Sequence, residues 1–183
     1  MSIPFLRDPR VASLEAELSR VMSAVDAVID ALPPEALDVA PEGQWSPVQI
    51  IWHLSKVQFW AHGKLTAGAE ALPPMSTVPP GPAPAMILTL LDAFPIRDRS
   101  RRVQAPEAVQ PPRGLALETE RTRWREGRTA LVQTLQRLGP NLTNVRGDHP
   151  FFGTFSGWQW ALWVAQHEER HLEQLREVVA GTR

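Results

Sequence analysis

Proline placement decides where this chain can be helical. The chain has eighteen prolines. A proline inside a helix removes a backbone hydrogen bond and clashes with the preceding turn. Here the prolines leave four long segments uninterrupted, and each of these carries an apolar stripe at helical spacing. Asp8-Pro9 reads as a helix start, with Asp as N-cap and Pro in the first position. Val11, Leu14, Leu18, Val21, Met22, Val25, Ile29 and Leu32 follow at spacings of mostly three and four, and Pro33-Pro34 ends the run. Ser46-Pro47-Val48-Gln49 opens the second segment as a capping box with proline at the first position. Ile50, Leu54, Val57, Ala61 and Leu65 form its stripe, and Gly68 is expected to end it.

Residues 73 to 112 hold ten of the prolines. One short helix is expected inside, near Ala85 to Phe94, with irregular chain elsewhere. Such a stretch is long for a connection within a compact domain. A linker between two domains is one reading. A crossover wrapping a bundle is preferred, because neither flank holds enough helices for a core of its own. Leu117 to Leu138 is the third helix, with Trp124, Leu131, Leu135 and Leu138 on one side and Gly139-Pro140 as its stop. Glu118–Arg121 and Glu120–Arg123 are expected to pair across its polar side. Ser156 and Gln159 form a second capping box. Trp160, Trp163, Val164, His167, His171, Leu175 and Val178 share one face of the last helix. Four long helices without a convincing strand predict an all-α four-helix bundle with a long proline-rich crossover, in one domain over residues 1–183.

Composition narrows the function. Apolar residues make up 43% and charged residues 21%, which is globular composition, and the net charge is −1. No basic field favours nucleic acid or an anionic membrane. No apolar run approaches the roughly 20 residues that span a bilayer, and Met1 to Arg10 lacks a signal-peptide core. A cytoplasmic protein is expected. The chain has no cysteine, which rules out thiolate ligands and a cysteine nucleophile.

The chemistry points to histidine. His167 and His171 are four residues apart, one turn on the same helical face, close enough to chelate one cation. They lie on the apolar face below Trp160 and Trp163, where an imidazole needs a partner. His53, beside the stripe of the second helix, is the natural third ligand. Neutral imidazoles suit Zn, Ni, Fe and Cu rather than Ca or Mg, with Zn or Ni expected, and three protein ligands leave open coordination positions, the catalytic arrangement. His62 falls off the face of His53. His149, before a proline, is read as a turn residue. Arg97, Arg99, Arg101 and Arg102 form a basic run with Asp98 inside it, read as a solvated loop or an anion contact. Trp52, Trp60, Trp158, Trp160 and Trp163 are read as core, some of them walling an apolar pocket.

Trp45-Ser46-Pro47, His53-Leu54, His149-Pro150 through Gly153 to Trp160, and His167-x-x-x-His171 together resemble the DinB/YfiT-like superfamily. The resemblance covers nearly the whole chain. It implies an up-down-down-up helical bundle with a three-histidine metal site on His53, His167 and His171. It also implies a metal-dependent enzyme, because the family includes transferases that use low-molecular-weight thiols. The proline-rich segment departs from the simpler members and bears on any substrate assignment.

His167-Glu168-Glu169-Arg170-His171 also fits the zincin pattern H-E-x-x-H, in which the glutamate is general base. Only twelve residues follow His171, none a histidine, and Glu173 and Glu177 are too near to serve as a distant ligand. A zincin protease is therefore set aside. Glu168 keeps two readings, a catalytic base beside the metal or a solvated residue. The function expected is activation of a thiol cosubstrate or water by one divalent transition metal, for S-transfer or hydrolysis of a small molecule. The alternative is a non-enzymatic bundle that binds metal or a small ligand. A homodimer is compatible with either.

Overall fold

The computed structural model of the chain describes residues 8–40, 42–73, 77–100 and 104–181. Its four long helices are α1 (Pro9–Asp30), α2 (Pro47–Glu70), α3 (Leu117–Leu138) and α4 (Gly157–Gly181). The starts follow from local chemistry. The Asp8 carboxylate accepts from the Arg10 amide, and Ser46 and Gln49 complete the capping box that opens α2. Ser156 and Gln159 exchange the same two bonds at the head of α4. Ser46→Ala is expected to cost about 1 kcal/mol, the usual value of an N-cap; an unchanged denaturant midpoint would contradict that role.

Side-chain pairs give the helix directions. Arg10 lies 4.6 Å over the Trp158 ring and Arg20 pairs with Glu169 at 2.8 Å, so α1 and α4 run parallel. Arg121 binds Asp26 while Gln136 reaches Glu15, so α3 runs against α1. His62 bonds Thr134 and Gln58 bonds the Trp124 carbonyl, so α2 runs with α3. The path is up-down-down-up, an all-α bundle.

The described residues between α2 and α3 belong to the crossover, with short 3-10 turns at Pro84–Thr89 and Glu107–Val109. Ile87, Leu91 and Ile96 tuck into the core, so the segment packs on the bundle. Between α3 and α4 comes a hairpin that periodicity does not predict: β1 (Arg146–His149) pairs antiparallel with β2 (Gly153–Ser156). Its strands have four residues each and no apolar alternation, and Gly153 takes a positive φ of 77° at the turn. Gly68 does not end α2, which runs on to Glu70. A Cβ on Gly68 would stand 2.6 Å from the Arg146 carbonyl oxygen, so the glycine admits the hairpin to the helix surface. Glu120–Arg123 pair as expected, but Arg121 turns to Asp26 and Asp30 on α1.

The apolar core falls into two clusters. One holds Leu18, Val57, Leu131 and Val164; the other holds Val25, Leu54, Trp124 and Leu172. Arg128 and Glu168 lie between these groups along α3 and α4, both buried. Arg128 reaches both Glu168 oxygens at 2.5 Å, the Gln58 amide oxygen at 2.7 Å and the Leu18 carbonyl. The Trp124 indole N–H adds a 2.8 Å bond to Glu168. A polar layer thus crosses the bundle at mid-height.

Candidate metal centre

His53 comes from α2, and His167 and His171 come from α4. His53 and His171 are buried and His167 is half-buried; one ring nitrogen of each lies within 4.8 Å of the others. The hydrogen bonds say which nitrogens converge. His53 Nδ1 donates to the Val109 carbonyl at 2.7 Å, and His171 Nδ1 donates to Gln174 Oε1 at 2.7 Å. In the neutral ring a donating Nδ1 leaves a lone pair on Nε2. Both of those Nε2 atoms face His167 Nε2, at 3.4 Å and 3.2 Å. A single proton on His167 can bridge to one neighbour but not to both. A cation among the three nitrogens satisfies all of them, so the donor set fits a transition metal that prefers imidazole.

Electrostatics keep the imidazoles in the ligating form. Burial lowers the His53 pKa to about 4, against the bond from Val109 that favours its charge. Burial lowers His167 and His171 well below the ordinary histidine value, and each is lowered further by the neighbouring histidines. All three therefore stay neutral at physiological pH, as ligation requires.

Partners beyond the ligands orient the rings. Gln174 is one turn past His171 and has no sequence motif of its own. The Val109 carbonyl comes from the crossover, where main chain leaves no residue-type signal. Trp45 stacks on His171 with ring centroids 6.1 Å apart and an interplanar angle of 16°. Gln174→Leu is expected to weaken metal binding by about tenfold or more with the fold intact, the usual cost of removing such a partner. Competition with a chromophoric chelator would measure it, and wild-type affinity would show that the ring needs no support.

The histidines open into a cavity of about 570 Å³. Trp60, Trp163, Phe152 and Val57 line it, with Pro106 and Val109 of the crossover on the opposite wall. Of the five tryptophans singled out above, Trp60 and Trp163 wall the cavity, whereas Trp158 and Trp160 are buried. Trp52 is half-buried and carries Lys56 at 5.3 Å over its ring. His62 is off the site, bonded to Thr134 at 2.9 Å. His149 takes the expected turn bond, accepting from the Phe151 amide at 3.2 Å, and it also lines the cavity. Arg97 and Arg99 pair with Glu169 and Glu177 on α4; Arg101 and Arg102 lie outside the described residues.

Glu168 corrects the solvated reading. It is 1% exposed, and its oxygens accept from Arg128 and Trp124. It faces α3 and does not line the cavity. Four residues of pitch put His171 over His167, and one further step round the helix points Glu168 into the neighbouring core.

A family model described as the DinB superfamily matches residues 17–175, from within α1 to near the end of α4. No curated protein and no solved structure matches the chain. No helix among the described residues is long and apolar enough to cross a membrane.

Proposed function

Because this chain belongs to the DinB superfamily, and because three of its histidines turn their Nε2 atoms to one point, we propose that it is a metal-dependent enzyme. Its ligands are His53, His167 and His171, and its substrate is a small molecule held in the aromatic cavity. The three histidines would hold a divalent zinc or nickel ion, which would supply Lewis acidity, lowering the pKa of a thiol or water. The observation that carries the reading is the saturation of two Nδ1 atoms by Val109 and Gln174, which leaves the lone pairs of the opposite nitrogens available for ligation.

The remaining work falls to the chain itself. Val109 and Gln174 fix the imidazole planes and tautomers. Trp45 packs against the His171 ring and Trp163 against the His167 ring. Arg128 and Glu168 fasten α3 to α4, holding the helix that carries two ligands. A general base must come within hydrogen-bond reach of the proton it takes. Glu168 is turned away from the cavity, and we assign it this positioning role.

Two features support an enzyme over a bundle that merely stores metal. Among the described residues, the group of ligating atoms holds three histidines and no fourth side chain. Those three border a cavity large enough for a small organic substrate. The apolar lining favours an organic thiol and an electrophile over heavily hydrated reactants, and with no cysteine in the chain the thiol comes from outside. The test is elemental analysis of untagged protein, followed by reaction of the loaded protein with low-molecular-weight thiols and an alkylating electrophile. About one metal per chain and metal-dependent thiol consumption are expected. Absence of bound metal, with no uptake of zinc or nickel, would end the metal reading. Stoichiometric metal without acceleration of thiol transfer or ester hydrolysis would favour the non-enzymatic bundle.

A further inference from the structure

His149 closes strand β1 beside the turn of the hairpin and is 5% exposed. Its Nδ1 accepts from the Phe151 amide at 3.2 Å. A neutral imidazole that accepts at Nδ1 carries its proton on Nε2. That Nε2–H is buried and has no hydrogen-bond partner among the described residues. A buried donor without an acceptor is costly, and such groups in native proteins call for an explanation. Aromatic rings surround it: Phe152 at 4.7 Å, Trp163 at 4.8 Å, Trp160 at 5.5 Å and Trp60 at 5.7 Å between centroids. Their π faces are weaker acceptors than an oxygen. The ring belongs to the lining of the same cavity as the three histidines. Trp163 stands between them, 4.8 Å from His149 and 5.0 Å from His167.

We propose that His149 is a ligand-binding residue whose Nε2–H donates to a neutral acceptor oxygen, and that the cavity takes a flat, largely apolar carbonyl compound lying along Trp163. Its oxygen sits at the His149 end and its remainder points toward His53, His167 and His171. A neutral oxygen is specified because the rings packed round this imidazole are aromatic and uncharged. Burial lowers its pKa, to about 4. A carboxylate placed among those rings would be desolvated. Phe152 stacks on one face of the imidazole at 27°. The assignment takes from the proposed function only that this cavity is the ligand site.

The test uses the full chain stripped of metal by chelator, so its outcome does not depend on the metal reading. Tryptophan fluorescence is followed while adding 2-acetylnaphthalene or 2-isopropenylnaphthalene, which have the same shape and differ in a carbonyl oxygen against a methylene. The quantity read is the Kd of the hydrocarbon divided by the Kd of the ketone. This ratio is expected to be at least tenfold larger for wild type than for His149→Phe, with His149→Gln, which keeps an N–H donor, in between. A ratio unchanged in His149→Phe overturns the proposal, as does failure of wild type to bind either probe. Should His149→Phe not fold, the infrared carbonyl stretch of the ketone bound to wild type and to His149→Gln decides. A stretch in wild type as high as in an alkane solvent overturns it, and a lowered stretch that rises toward that value in the glutamine variant supports it.

Discussion

His53→Ala is expected to lower the affinity for zinc or nickel at least tenfold, about 1.4 kcal/mol, although position 53 lies more than a hundred residues before the paired histidines. The reason is geometric. His53 Nε2 stands 3.4 Å from His167 Nε2 and its Nδ1 is already committed to the Val109 carbonyl. Removing it takes one of three donors from the site and leaves two on a single helix. His62→Ala is the control: it sits on the same helix, contacts Thr134, and is expected to bind metal as wild type does. Chelator competition on both variants, with denaturant midpoints to confirm folding, measures the difference. Wild-type affinity in His53→Ala would remove the third ligand, and with it the proposed activation chemistry.

Arg128→Met is expected to be the most destabilising of these changes, at about 3–5 kcal/mol. It strips the counter-charge from Glu168, a carboxylate only 1% exposed, and removes the Arg128 donor from the Gln58 oxygen and the Leu18 carbonyl. The double variant Arg128→Met/Glu168→Leu is expected to recover most of that loss, because replacing both partners of a buried pair with apolar groups is often neutral. Chemical denaturation of the single and double variants gives the comparison. A cost below about 1 kcal/mol for the single change would show that water already reaches the pair. Glu168→Gln separates the two roles proposed for that residue. It is expected to lower stability and to leave metal affinity nearly unchanged, whereas a zincin-type base would lose activity at full stability.

Local signals were legible where they act locally. Asp8-Pro9, Ser46-Pro47-Gln49 and Ser156-Gln159 each announce a helix start through a side chain bonding its own backbone, and all three hold. The 3.6-residue stripes identify which faces turn inward, so His53, His167 and His171 can be singled out before any coordinates, and the structure brings them together. Gly68 misleads because a glycine that ends a helix and one that admits a neighbouring backbone look alike in sequence. The hairpin is invisible because Arg146 to His149 and Gly153 to Ser156 are too short and too polar for a period-two pattern. Glu168 could not be placed because its partner lies forty residues away on α3, and helical position alone does not distinguish solvent from a buried arginine. Gln174 was within reach, since a residue three past a ligand on a helix is placed to bond its far nitrogen.

The contact between His53 and the crossover is made by a backbone carbonyl, and any residue at position 109 except by its shape would offer the same oxygen. Ala105, Pro106, Ala108 and Val109, by contrast, line the cavity. On the proposed function, ring orientation and substrate selection are thus written in separate parts of one segment. Exchanging those residues is expected to change what the cavity accepts while the histidine geometry stays as it is. Libraries randomised at these four positions are a direct route to new specificities, with the ligand-bearing helices left untouched.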